Sequence, residues 1–265
     1  MSWIHDLPRW LVGPAILTFF VGSAVVGLFV TRRWIKRRGF HELVDNNVVG
    51  WLFSATFSIY AITIGLTAVA SWSNAVSASN VTSAEAAEVA ALYRAVSTYP
   101  QPARGALKAG VRGYLAAVID MAWPAQRRGE VPHGPNVALT GLQQSFSSFE
   151  PATDGQRILH AEALHVFAHL VEARRRRLVA VDNGVPGALW SVVLVGAVLA
   201  ICGSYVFSIE SVATHAVMTA LLSAMIALLV FFIAVTDRPF RGAAGIPPSA
   251  YELVLHTLVD GDSTP

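Results

Sequence analysis

The sequence predicts an all-α integral membrane protein with four transmembrane helices and a helical extramembrane insert between the second and the third. Composition is the first ground for this. Hydrophobic residues make up 54% of the chain and charged residues 14%, and mean hydropathy is +0.52, too apolar for an ordinary soluble domain of this length. The second ground is four uncharged runs, at 10–30, 48–72, 188–207 and 212–236. Each can cross a hydrocarbon core of about 30 Å at about 1.5 Å per helical residue. The third is the long stretch between runs two and three, where apolar residues recur at helical spacing between capping signals.

Taken in order, residues 1–9 are a polar lead, with Trp3 and Trp10 suited to the headgroup level. The first run precedes its positive charges (Arg32, Arg33, Lys36, Arg37, Arg38), the reverse of a cleaved signal peptide, so it is read as a retained helix. That cluster is expected to meet lipid phosphates. The second helix has no Pro or Gly beyond its apolar run until Tyr99-Pro100 and is expected to project well out of the bilayer. Neighbours three or four apart share a face, so Thr56, Tyr60, Thr63 and Thr67 form one stripe that continues through Asn74 and Ser77. Gly50, Ser54, Ala61, Gly65 and Ala68 form a second, suited to close helix packing. The division reads as a pore wall; the alternative is that each hydroxyl returns to the carbonyl one turn back. Glu85 and Glu88, about a turn apart, would ring a conduit mouth if copies assemble around an axis, or simply form a solvated face.

A helix is expected over 103–123, with the stripe Leu107, Val111, Leu115 and Val118, followed by a loop marked by Pro124, Pro132 and Pro135. Residues 137–149 are weakly helical. Thr153 with Gln156 is a capping box that opens a long helix ending near Asp182, before Asn183-Gly184. Glu162, His165, His169 and Glu172 lie along one side of it. Their spacing suits metal ligands, but Val166 follows His165 where the zinc-protease motif needs Glu, and a wet face accounts for the set. Arg174 to Arg177 are expected to complement the helix's negative end and to meet lipid phosphate. Pro186 suits the first turn of the third span. A short link with Ser208 and Glu210 makes spans three and four a hairpin, with His215 at the membrane boundary. Pro239 stops the fourth span, and Ser249 with Glu252 is a capping box for a short last helix carrying Tyr251. The resulting division is 1–72 (spans one and two), 73–185 (insert), 186–236 (hairpin) and 237–265 (tail).

Net charge is +2 and no basic run is interleaved with aromatics, so no nucleic-acid partner is expected. The single cysteine, Cys202, excludes an intrachain disulfide and a multi-thiolate metal site, and is expected to be a small buried residue. No cofactor is expected. Enzymatic function is not expected either, since the chain has no His-Glu-x-x-His, no Gly-x-Ser-x-Gly and no carboxylate pair within the spans.

Several short motifs occur in order along nearly the whole chain: Asn46-Asn47-x-x-Gly50, Glu85-Ala86, Tyr114 with Trp123, Arg174-x-x-Arg177, Pro186 with Trp190, and Asp237-Arg238-Pro239-Phe240-x-Gly242. In these the chain resembles the bestrophin-like domain family of small membrane proteins. It departs from that pattern at Ala122, where an acidic residue usually precedes the tryptophan and only Asp120 is near, and it has no Asn-Pro-Pro neck sequence. The resemblance implies the same four spans and insert. By analogy with bestrophins it also implies a homo-oligomer, a pentamer by that analogy, conducting anions such as chloride along the second helix.

The expected function is therefore a multi-pass ion channel of the bacterial inner membrane whose partners are other copies of itself, membrane lipids and small inorganic ions. Thr56, Tyr60, Thr63, Thr67 and Asn74 would line the pore, and Glu85 and Glu88 its mouth. The competing expectation is a non-conducting scaffold or sensor whose insert binds a partner. Loop charges point both ways. Arg32 to Arg38 favour an outside insert, whereas Arg9, Arg174 to Arg177, Arg238 and Arg241, with the bestrophin analogy, favour a cytoplasmic one.

Overall fold

The computed structural model describes residues 9–38, 45–130, 134–242 and 245–261. Trp3, Pro132 and the side chains of Trp10, Lys36, Arg38 and Pro135 lie outside the described residues. The helices are α1 (Arg9–Arg38), α2 (Asn46–Ser97), α3 (Ala103–Ala116), α4 (Trp123–Arg128), α5 (Gly134–Ser147), α6 (Asp154–Asp182), α7 (Gly187–Ser204), α8 (Val212–Thr236) and α9 (Ser249–Val254). Two π-helical segments, Ala117–Ala122 and Leu255–Asp260, continue α3 and α9. No strand occurs among the described residues. Stretches within α1, α2, α7 and α8 are long and apolar enough to span a membrane. Contacts divide the chain into two compact units, 1–74 with 184–237 and 75–183 with 238–265.

In the first unit α1 packs along α8, with Gly13 seated against the Phe231 ring. Tyr205 lies over Gly27 and donates to the Ala24 carbonyl at 2.8 Å. Asp45 caps α2, its Oδ1 accepting from Asn47 N at 2.8 Å. Asn46 pairs twice with the Ser208 backbone, at 2.7 and 2.9 Å, which holds the start of α2 to the α7–α8 link. Arg32 donates to the Ile209 carbonyl of the same link, so this member of the basic cluster has a protein partner as well as any lipid one. α2 meets α7 through side chains seven apart on each helix. Phe53 lies over Gly203 and Tyr60 over Gly196; a Cβ would stand 3.0 Å from the Phe53 ring and closer still to that of Tyr60. Glycine is what admits the aromatic knobs.

The second unit packs the rest of α2 with α3, α4, α5, α6, α9 and the π turns around one apolar core. Gly110 of α3 lets Leu142 of α5 approach, since a Cβ there would be 2.8 Å from its Cδ1. Thr153 caps α6 by accepting from Gln156 N at 3.2 Å, while Gln156 Oε1 accepts from Ala152 N at 2.8 Å.

Several local expectations are corrected. The helical path runs through Pro124 to Arg128 rather than breaking there. A proline inside a helix lacks its N–H and crowds the carbonyl four back, and the π turn just before it widens the helix at that carbonyl. Gly129, at φ +80°, ends α4 instead. Pro186 is the N-cap residue of α7 rather than a first-turn residue. Ser249 is the first residue of α9, with Pro248 at the cap position and no side-chain cap, so it forms no capping box. Cys202 is exposed on α7, because the buried side of that helix runs through Val193, Ala197, Ala200, Ile201 and Ser204. His215 stays in the first turn of α8, as expected, and is buried there, its Nε2 donating to the carbonyl of Ser204 at the end of α7 at 2.9 Å.

Candidate functional site

The hydroxyl stripe of α2 is split by the edge of the first unit's core. Residues four apart on a helix advance by about 40°, enough to carry Tyr60 and Thr67 inside while Thr56 stays exposed and Thr63 half-buried. Tyr60 donates to the Val193 carbonyl at 3.1 Å. Thr56, Thr63 and Thr67 donate to the carbonyls of Leu52, Ile59 and Thr63 at 2.9, 2.9 and 2.8 Å. Asn74 is half-buried. Beside Thr56 and Thr63 an apolar groove of about 650 Å³ runs between α2 and α7, and Leu52, Ile59, Ile62, Leu66 and Val69 of α2 are exposed.

Glu85 is not at an open surface. It is wholly buried in the second unit, because Ala78, Thr82, Glu85, Val89, Leu92 and Val96 form the buried seam of α2. Arg177 donates to it from Nε at 2.6 Å and Nη2 at 3.3 Å, Tyr114 donates at 2.5 Å, and Gln126 Oε1 accepts from Arg177 Nη1 at 3.0 Å. The guanidinium lies over the rings of Trp123 and Tyr251, 5.3 and 5.9 Å from their centroids. Burial, the largest single influence, would lower the Arg177 pKa, but the charge of Glu85, its hydrogen bond, and the neighbouring Tyr251 and Tyr114 together raise it. Burial raises Tyr114 well above the ordinary phenol value, with the charge of Glu85 adding to it. Burial likewise raises Tyr251.

Arg174 is also buried, and its Nε has no hydrogen-bond partner among the described residues. The expectation that Arg174 to Arg177 complement the helix end is thus corrected. Two of these arginines lie in the α6 seam, and Arg175 and Arg176 turn outward to Glu172. Glu88 is half-buried and lines an open recess with Ser77, Asn80 and His169. Among the described residues no group of three or more His, Cys, Asp or Glu is placed to hold a metal.

The Asp-Arg-Pro-Phe segment does separate work in each unit. In the first, Asp237 at the end of α8 accepts from Val185 N at 2.5 Å and Trp190 Nε1 at 3.3 Å. In the second, the Pro239 carbonyl accepts from Ile246 N at 2.8 Å, and the Phe240 ring meets Trp123 edge-on at 5.9 Å. Arg238 is half-buried.

Sequence reasoning missed the Glu85–Arg177 pair. A signal was present: Glu85 interrupts an apolar seam of α2, and Arg177 interrupts the seam Ala163, Phe167, Leu170 on α6. A separation of 92 positions along the chain conceals that the two meet.

The four apolar helices, the helical insert between the second and third, and the absence of strands among the described residues define a helical membrane protein. A family model for the Bestrophin-like domain matches residues 18–251. The chain belongs to the Bestrophin-like family. Its fold is that of a crystal structure of a point mutant of a bacterial bestrophin homologue from Klebsiella pneumoniae, at 16% identity and TM-score 0.68, covering 94% of this chain and 99% of that one. A homologue structure from the same organism, solved by Zn-SAD phasing, matches at 16% identity and TM-score 0.67, covering 92% and 96%. The crystal structure of a point mutant described only as a membrane protein matches at 15% identity and TM-score 0.71, covering 92% and 97%. No curated protein matches.

Proposed function

We propose that this protein is a homo-oligomeric ion channel, conducting anions of the chloride type, in which α2 lines the path. The observation that carries the reading is the Bestrophin-like match over residues 18–251, because bestrophin homologues are members of an anion-channel family. Thr56, Thr63 and Asn74 are the wall residues that keep accessible surface, while Tyr60 and Thr67 hold the wall to the core behind it. A threonine hydroxyl bonded to its own helix can turn to a passing anion at small cost, since such a bond is worth only about 1 kcal/mol net. Neutral donors of this kind bind an anion weakly enough to release it. Pairing with Arg177 removes Glu85 as a free negative charge, which leaves Glu88 as the mouth carboxylate.

The exposed apolar residues of α2, such as Ile62, Leu66 and Val69, are covered by lipid and by neighbouring copies, five in all by analogy with bestrophins. The membrane is the bacterial inner membrane. The insert is cytoplasmic: Arg174 and Arg177 are buried and carry no topological weight, but Arg175, Arg176 and Arg238 retain it.

Recording purified protein in a planar bilayer under asymmetric KCl tests this. A reversal potential directed to chloride is expected; a potassium-directed one, or no current, overturns it. A non-conducting scaffold is the second reading, favoured by the hydroxyls of Thr56 and Thr63 being already bonded to Leu52 and Ile59. It predicts silence in the same recording.

A further inference from the structure

We infer that His165 and His169 form a two-imidazole site for a divalent transition cation of the zinc class on the exposed face of α6. The two Nε2 atoms are 3.4 Å apart and the rings stand at 70° with centroids 4.5 Å apart. With Zn–N bonds of about 2.0–2.1 Å, two ligands of a tetrahedral zinc stand roughly 3.3–3.4 Å from each other. The Nε2 separation is that of one edge of a zinc tetrahedron, and the two exposed rings, edge-on with centroids 4.5 Å apart, rotate to aim both lone pairs at one ion. The i, i+4 spacing on a continuous helix holds it there, as in helical zinc motifs. Both side chains are exposed, so a cation enters without displacing protein.

The rest of the expected four-residue set does not join them. Glu172 is held by Arg175 at 2.9 Å and Arg176 at 3.1 Å. Water completes the shell, which the open recess of about 270 Å³ beside His169 admits. Imidazole selects zinc, nickel or copper over calcium and magnesium, which prefer oxygen ligands. Val166 stands where a general base would follow His165, so the site binds and does not hydrolyse. This inference is independent of conduction.

Isothermal titration of tag-free, full-length protein in detergent with zinc chloride tests it. One zinc per chain is expected at micromolar affinity, weakened about tenfold or more in His165→Ala and equally in His169→Ala. His160→Ala should bind like the parent, because His160 is engaged by the Tyr99 hydroxyl at 2.8 Å. Retained thermal melting of each variant without zinc shows that folding is intact. No saturable zinc binding in the parent, or binding unchanged in both His165→Ala and His169→Ala, overturns the inference.

Discussion

Arg177 and Glu85 meet in the second unit as a bidentate ion pair, both side chains fully shielded from solvent. Removing one partner strands a buried charge. Arg177→Met or Glu85→Leu alone is expected to cost about 3–5 kcal/mol, whereas the two together should cost clearly less than the sum. Chemical denaturation of the detergent-solubilised chain measures all three; additive costs would show that the pair does not act as a unit.

Tyr60 fills the notch over Gly196. Gly196→Val puts methyl groups where the ring lies, and should destabilise by about 1–3 kcal/mol. Tyr60→Ala in the same chain should recover part of that loss. A Gly196→Val protein that melts with the parent would mean α2 and α7 do not depend on this contact.

Burial pushes Tyr99 up to about 12 from its ordinary value of 10.0. A raised phenol pKa means the folded chain holds a proton that the unfolded chain releases above 10. This contribution is therefore full below about pH 10 and lost as pH rises toward 12. In an absorbance titration of phenolate, Tyr99, Tyr114 and Tyr251 should lag behind free tyrosine, and Tyr99→Phe should remove the earliest of the three lagging steps. Ionisation of all six tyrosines near pH 10 would contradict this.

Asp237 accepts from both Val185 N and Trp190 Nε1, so Asp237→Ala leaves two donors without a protein partner. A loss of about 1–3 kcal/mol is expected, with a change in tryptophan emission that Asp237→Asn largely prevents. Unchanged melting of Asp237→Ala would dismiss the latch.

The spans and α6 were legible because their signals are local: uncharged runs of sufficient length, Thr153 at one end and Asn183 at the other. What escaped depends on where a helix turns its back. The 40° drift between Thr56 and Tyr60 separates wall from core, and only the neighbouring α7 decides on which side the boundary falls. Pro124 read as a loop because the π turn that accommodates it has no sequence code of its own. Glu85 and Arg177 each sat visibly in an apolar seam, yet their pairing needs the antiparallel register of α2 and α6, which Tyr99 with His160 and Glu85 with Arg177 jointly fix.

Thiol modification during recording tests most directly whether α2 carries the ion path. On a Cys202→Ala background, which removes the exposed native thiol, a charged methanethiosulfonate should change the current of Thr56→Cys and Thr63→Cys and leave that of Val217→Cys, exposed on α8 away from the groove, unchanged. Currents indifferent to the reagent at both α2 positions would contradict a conducting role for that helix.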